Sequence, residues 1–101
     1  MTQQNQNQGQ QIQIKLTDEV MAGVYSNLMY ISHSKEEFVF DFIFLQGLGG
    51  KVNSRVITSP KHAKRIVRAL EENIKKYENQ FGVIEEAKSD EKEMGFNYQK
   101  S

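Results

Sequence analysis

Residues 37–46 read EFVFDFIFLQ, a stretch in which phenylalanine stands at every second position from 38 to 44. Because successive side chains of a β-strand point to opposite faces, this segment is predicted to be the strongest strand of a sheet. One face carries Phe38, Phe40, Phe42 and Phe44, and the other carries Val39, Asp41, Ile43 and Leu45. The strand is therefore apolar on both faces, apart from one aspartate.

Two further strands are predicted on the N-terminal side of residues 37–46. Ile12, Ile14 and Leu16 alternate with polar residues, which is typical of a strand with one buried face. Residues 17–19 break this alternation and indicate a turn or a single helical turn. Residues 24–32 (VYSNLMYIS) have the β-branched and aromatic content of a second strand.

The connections around residues 37–46 indicate antiparallel hairpins. Residues 33–36 (HSKE) are polar and fit a hairpin connection, and residues 47–50 (GLGG) turn the chain on the other side. Residues 52–58 (VNSRVIT) are then predicted to form a fourth strand. The four predicted strands make an antiparallel sheet.

A long amphipathic helix is predicted after the strands. Ser59 fits the N-cap and Pro60 the first helical position, where a proline loses no hydrogen bond. An apolar stripe follows over five turns, and Gly82 is typical of a residue that ends a helix. The stripe consists of Ala63, Ile66, Val67, Leu70, Ile74, Tyr77 and Phe81.

These elements predict an α+β fold of order ββββα, a four-stranded antiparallel sheet followed by one C-terminal amphipathic helix. One helix covers only one face of a sheet, yet residues 37–46 are apolar on both faces. A small domain with two such faces would leave an apolar patch in water, which favours a second copy as cover. We therefore expect a homodimer.

The domain occupies residues 12–82 in this interpretation. Residues 1–11 hold six Gln and two Asn and are predicted to be a disordered Gln-rich tail, because they have too little apolar surface to bury. Residues 83–101 mix acidic and basic residues with scattered apolar ones and are predicted to be a flexible acidic tail.

Composition excludes several classes of protein. The 101 residues include 13 Lys+Arg and 13 Asp+Glu, so a histone-like or ribosomal basic protein is not indicated. The chain has no Cys, which rules out disulfides, thiolate zinc sites and a cysteine nucleophile. No apolar stretch approaches the roughly 18 residues of a membrane span, and the N-terminus lacks the features of a signal peptide. A soluble cytoplasmic protein is expected.

The sequence does not predict an enzyme or a cofactor. His33 and His62 have no second ligand at metal-binding spacing. Residues 32–34 (SHS) and Asp41 are the residue types of a nucleophilic triad, but no nucleophile elbow accompanies them. The glycine-rich residues 47–51 precede a strand instead of the helix that a phosphate-binding loop requires. Asp41 is interpreted as a sheet-edge residue, as a partner of Arg55 across the sheet, or as part of a binding spot.

The unusual feature is a basic face on the predicted helix. Basic residues crowd its first half, where the helix dipole favours acidic ones. Either this is an ordinary solvated face, or it binds an anionic partner such as nucleic acid phosphates or an acidic protein surface. The candidate contacts are Lys61, Lys64, Arg65 and Arg68, with Lys51 and Arg55 as secondary candidates.

Several short segments resemble a small bacterial family catalogued as domain of unknown function 3467. The resemblance covers about residues 12–82 and implies a compact α+β domain with no established activity, ligand or functional residues. It also implies genes that neighbour those of RNA polymerase subunits, which favours a role in transcription. The segments that carry the resemblance are VYSN (24–27), ISHS (31–34), EF (37–38) with DF (41–42), and TxPxHAKR (58–65).

The expected function is that of a non-enzymatic, homodimeric accessory protein associated with transcription or nucleic acid. The alternative is a protein–protein adaptor that binds an acidic protein surface, such as one on RNA polymerase. The expected partners are thus a second copy of the chain and either nucleic acid or RNA polymerase, without a membrane.

Overall fold

The computed structural model describes residues 10–86 and 97–100, which form two compact units that meet in sequence between Ser59 and Pro60. Most of the predicted Gln-rich tail, residues 1–9, lies outside the described part, as do residues 87–96 and 101 of the predicted acidic tail. The described tail residues 10–11, 83–86 and 97–100 belong to no helix or strand. The elements are α1 (Asp18–Met21), β1 (Leu28–His33), β2 (Phe38–Gln46), β3 (Gly49–Thr58) and α2 (Pro60–Phe81).

The first unit contains a three-stranded antiparallel sheet with β2 in the centre. The α+β class, the antiparallel pairing and the C-terminal position of the long helix are confirmed. In this register, Phe40 pairs with Ile31 and Val56 on one face, and Asp41 pairs with Tyr30 and Arg55 on the other. The predicted alternation along β2 is confirmed, and we call the side of Phe38, Phe40, Phe42 and Phe44 the phenylalanine face.

Short-range hydrogen bonds close the two hairpins. Between β1 and β2, the Ser34 hydroxyl oxygen accepts hydrogen bonds from the backbone N–H groups of Glu36 and Glu37, at 3.2 Å each. Between β2 and β3, Gly47 adopts a φ of 63°, a left-handed conformation that glycine reaches without steric cost. Both predicted connections are confirmed, and β3 starts already at Gly49, three residues earlier than predicted.

The predicted strand at residues 12–16 is wrong. No strand is assigned to these residues, and the side chains of Ile12 and Ile14 are 88% and 85% exposed. Alternation shows that a segment suits one face of a sheet, but a strand also needs an adjacent strand to complete its hydrogen bonds. The described chain offers none, so the sheet has three strands instead of four. The predicted helical turn that follows is confirmed as α1, which Thr17 caps.

The predicted strand at residues 24–32 is confirmed only from Leu28 onward. Before this point, side chains replace the regular backbone ladder. The Asn27 amide donates to the carbonyl oxygen of Leu45 at 2.9 Å and accepts from its N–H at 2.8 Å. The Ser26 hydroxyl lies 3.1 Å from the carbonyl oxygen of Ile43. Polar side chains that bond to nearby backbone in this way compete with the ladder, so the strand begins later.

The second unit contains α2, which begins at Pro60 and ends at Phe81 as the sequence predicted. Gly82 follows with a φ of 103°, and its N–H donates to the carbonyl oxygen of Glu78 at 2.9 Å. A left-handed glycine thus ends the helix. Among the helices of the described residues, none combines the length and apolar character needed to cross a membrane.

Candidate anion-binding surface

Helix α2 carries two stripes of opposite character. At about 100° per residue, Lys61, Lys64, Arg65 and Arg68 fall within an arc of about 100° on one side of the helix. The apolar stripe predicted from the sequence is centred roughly opposite this arc. We call the four cations the basic stripe, and the spacing of i, i+3, i+4 and i+7 makes them neighbours on the helix surface.

The basic stripe is solvent-exposed and begins in a helical turn that has no acidic residue. All four side chains are exposed, and the first turn of α2 has no acidic residue. Within residues 10–86 and 97–100, none of the four forms an ion pair. A positive charge in the first turn of a helix opposes the helix dipole, at about 0.3–1 kcal/mol, and among the four cations this applies to Lys61. The arrangement is therefore slightly unfavourable for the helix and leaves four cationic groups open to an external anion.

The two secondary candidates on β3 differ from the basic stripe and from each other. Lys51 is exposed, and its register partner is Phe44, which places it on the phenylalanine face. Arg55 pairs with Asp41 on the opposite face. A β-bulge lies between these two positions on β3. The structure therefore does not bring Lys51 and Arg55 together on one surface of the sheet.

Arg55 and Asp41 form a bidentate ion pair, which confirms the pairing that the sequence suggested. Arg55 Nε donates to Asp41 Oδ1 at 2.6 Å, and its Nη2 donates to Oδ2 at 2.8 Å. The Asp41 side chain is only 2% exposed, whereas that of Arg55 is 53% exposed. Burying a carboxylate without a counter-charge costs much free energy. The primary role of Arg55 is therefore to neutralise the buried carboxylate of Asp41.

The structure separates the residues of the rejected nucleophilic triad. His33 stacks on Phe38, with ring centroids 5.2 Å apart, on the phenylalanine face. Asp41 points to the other face, where Arg55 binds it. In a nucleophilic triad the carboxylate forms a hydrogen bond to the histidine, which His33 and Asp41 cannot do from opposite faces of the sheet.

The glycine-rich turn also has a structural explanation. A Cβ atom at Gly50 would lie 2.5 Å from the carbonyl oxygen of Phe44, which is closer than real Cβ atoms come. Glycine is thus needed at this position for the close approach of β2 and β3. The turn leads into a strand, so no helix N-terminus follows it to hold a phosphate.

A further surface feature was not predicted from the sequence. An open depression in the first unit is lined by residues 24–29 and Phe42. The Asn53 amide donates to the carbonyl oxygen of Tyr25 at 2.8 Å and helps to hold this segment. Asparagine is depleted in strands, so Asn27 and Asn53 within apolar, strand-like stretches were a signal for irregular backbone. No group of three His, Cys, Asp or Glu side chains suits a metal ion in the part of the chain that the structure describes.

The chain is a small α+β protein with a three-stranded antiparallel sheet and a long C-terminal helix that carries a basic stripe. Comparison with protein families identifies it further. The model of the family described as a protein of unknown function, DUF3467, matches residues 1–86, and the chain belongs to this family. No curated protein and no solved structure matches the chain.

Proposed function

We propose that this protein is a non-enzymatic, homodimeric accessory factor whose basic stripe binds the phosphates of nucleic acid, in association with transcription. The observation that carries the proposal is the basic stripe, four exposed cations on one side of α2 that form no ion pair with any residue that the structure describes. The helix has six basic and three acidic residues in a chain whose formal net charge is zero. The helix thus carries an excess of positive charge, and the basic stripe exposes it to solvent.

Phosphate binding is the chemistry that fits such a stripe. Each lysine or arginine that neutralises a phosphate releases condensed counterions, and this release drives much of the binding. Two of the four cations are arginines, which bind phosphate oxygens through two parallel N–H groups. Phosphate contacts carry no sequence information, so the proposed binding is independent of base sequence.

The proposed homodimer is supported by the apolar surface of the described residues. Among the described hydrophobic residues only Phe40, Ile43 and Ala63 are buried, whereas Val67, Leu70 and many others are largely exposed. Monomeric soluble proteins rarely expose large contiguous apolar patches. A second copy of the chain would remove such surface from water without requiring a further gene product.

Fluorescence anisotropy of labelled single-stranded and duplex oligonucleotides tests the proposal. If all four cations contact phosphates, the affinity for duplex should fall about 150-fold when the salt rises fourfold, because each contact contributes about 0.9 to the logarithmic slope. The double variant Arg65→Glu/Arg68→Glu should lose binding at both the lower and the fourfold higher salt concentration. Its far-UV circular dichroism should match that of the wild type, because both side chains are exposed.

The matched control is Lys75→Glu/Lys76→Glu, which makes the same change of charge on the same side of the helix, about two turns beyond Arg68 and four residues after Glu71 and Glu72. It should retain most of the binding. Equal losses for the two double variants would contradict a specific role of the stripe. If neither oligonucleotide binds the wild type, the nucleic-acid proposal is wrong and an acidic protein surface, such as one on RNA polymerase, becomes the partner to test by pulldown.

A further inference from the structure

The apolar stripe of α2 has the spacing of a coiled-coil seam. Residues 63, 67, 70, 74, 77 and 81 follow each other at intervals of 4, 3, 4, 3 and 4. Alternating intervals of this kind define the a and d positions through which two helices pack. Ala63 is buried, whereas the other five are exposed, from 39% for Ile74 to 65% for Phe81. We call these six residues the seam.

The side chains of the seam increase in size along the helix. Ala63 and Val67 are at its N-terminal end, Leu70 and Ile74 are in the middle, and two aromatic residues are at its C-terminal end. The rings of Tyr77 and Phe81 contact each other, with centroids 4.9 Å apart. A parallel pair of such helices would place small against small and aromatic against aromatic. Close-packed interiors do not tolerate such gaps and overfilled layers.

An antiparallel pair resolves this difference in size. If the two-fold axis passes near residue 72, Val67 faces Tyr77 of the second copy and Leu70 faces its Ile74. Val67 with Tyr77 then combines a small with a large side chain, and Leu70 with Ile74 combines two side chains of intermediate size.

The charges along α2 favour the same direction. Residues 60–70 have four basic residues and no acidic one, whereas residues 71–81 have two basic and three acidic residues. A parallel pair would place the two strongly positive halves side by side, which is repulsive. The antiparallel pair places each positive half beside a weakly negative one and sets Lys64 next to Glu78 of the second copy. At the centre, Glu71 meets its own copy, a single like-charge contact.

The geometry points to an antiparallel pairing of α2 with α2 of a second copy, through the seam and about a two-fold axis near residue 72. This inference rests on the homodimer of the proposed function and adds its interface, direction and register. Lys61, Arg65 and Arg68 of the basic stripe face away from the seam in this arrangement and stay accessible to phosphates, whereas Lys64 borders the seam.

Thiol cross-linking of the full chain tests the register, and the absence of natural cysteines makes introduced ones unambiguous. In the antiparallel pair, residue 67 lies beside residue 77 of the second copy. Two copies of residue 67 lie on the order of 15 Å apart along the axis, at about 1.5 Å per residue. The double variant Val67→Cys/Tyr77→Cys should therefore form a covalent dimer under oxidation. Val67→Cys and Tyr77→Cys alone should not, and neither should the outward-facing Glu72→Cys.

Exchanging the charges of one residue pair is a second test of the dimer, and it does not require the replacement of apolar residues. Glu78→Lys should weaken the dimer several-fold by setting two lysines together, and Lys64→Glu/Glu78→Lys should restore it. Analytical ultracentrifugation measures the dissociation constants of the dimers. Both variants should fold, because they change exposed or half-buried positions.

The outcomes separate this inference from the proposed function. A wild type that sediments as a monomer overturns the dimer and the pairing together. A dimer in which Val67→Cys alone cross-links is parallel, and a dimer in which no variant cross-links uses another surface; both results overturn the inference. Cross-linking of the double variant alone supports it, even if oligonucleotides do not bind.

Discussion

Replacing Arg55 with methionine is expected to destabilise the sheet more than replacing its partner Asp41 with asparagine. The reason is the unequal burial of the two side chains, 53% exposed for Arg55 and 2% for Asp41. Arg55→Met leaves the buried carboxylate without its guanidinium counter-charge. Asp41→Asn leaves a neutral amide of nearly the same shape, while the half-exposed guanidinium of Arg55 still reaches water.

The expected magnitudes follow from this difference. Removal of one partner from a buried ion pair costs about 3–5 kcal/mol, and the exposure of Arg55 places Arg55→Met at the lower end, about 3 kcal/mol. Asp41→Asn loses hydrogen bonds to a charged donor without burying a new charge, which costs about 1–2 kcal/mol. The two variants should therefore differ by more than about 1 kcal/mol in the free energy of unfolding.

Urea unfolding followed by circular dichroism measures this difference, at one fixed protein concentration because dimerisation would shift the transition. With a slope of about 1.5 kcal/mol per M, the midpoint should fall by about 2 M for Arg55→Met and about 1 M for Asp41→Asn. Arg68→Met is the matched control, since this arginine is exposed and in no ion pair within the described residues, and it should cost less than about 0.5 kcal/mol. Equal losses, or a larger loss for Asp41→Asn, would refute the reasoning from burial.

Three further predictions concern the sheet and the dimer. Gly50→Ala should lower the free energy of unfolding by about 2 kcal/mol, because its Cβ would press on a carbonyl oxygen of the neighbouring strand, whereas Leu48→Ala in the same turn should be neutral in urea titrations. Ile43→Ala should cost about 2–4 kcal/mol in the same assay, and Ile14→Ala less than about 0.5 kcal/mol, because only the first is buried; similar losses would mean that residues 12–16 pack somewhere. Glu71→Gln should tighten the dimer in sedimentation by removing the like-charge contact at its centre, and an unchanged or weaker dimer would speak against the proposed two-fold axis.

The elements that could be predicted from the sequence are those whose signal is local. Helix α2 has a proline at its first position, an apolar stripe and a left-handed glycine after its end, and each of these acts within a few residues. The central strand β2 was predicted because its alternation extends over nine residues. The ion pair of Asp41 and Arg55 was among the alternatives, since an acid within an apolar strand needs a partner.

Other features depend on which segments meet in space. Ile12, Ile14 and Leu16 alternate as a strand does, but their backbone has no neighbour within the described chain, so the fourth strand is absent. The late start of β1 depends on Asn27, whose amide bonds to the backbone of a residue 18 positions away. No local pattern encodes such a contact.

The sequence by itself determined the α+β class, the long C-terminal helix with its two stripes, and the two faces of β2. These follow from steric preferences and periodicities that operate within a few residues of one another. Only the tertiary structure decided the number of strands, the separation of Lys51 from Arg55 onto opposite faces, and the engagement of Arg55 with a buried carboxylate. The number of strands depends on which segments find a neighbour to pair with. The other two features depend on the register between strands, in which a shift of one residue would move every side chain to the other face.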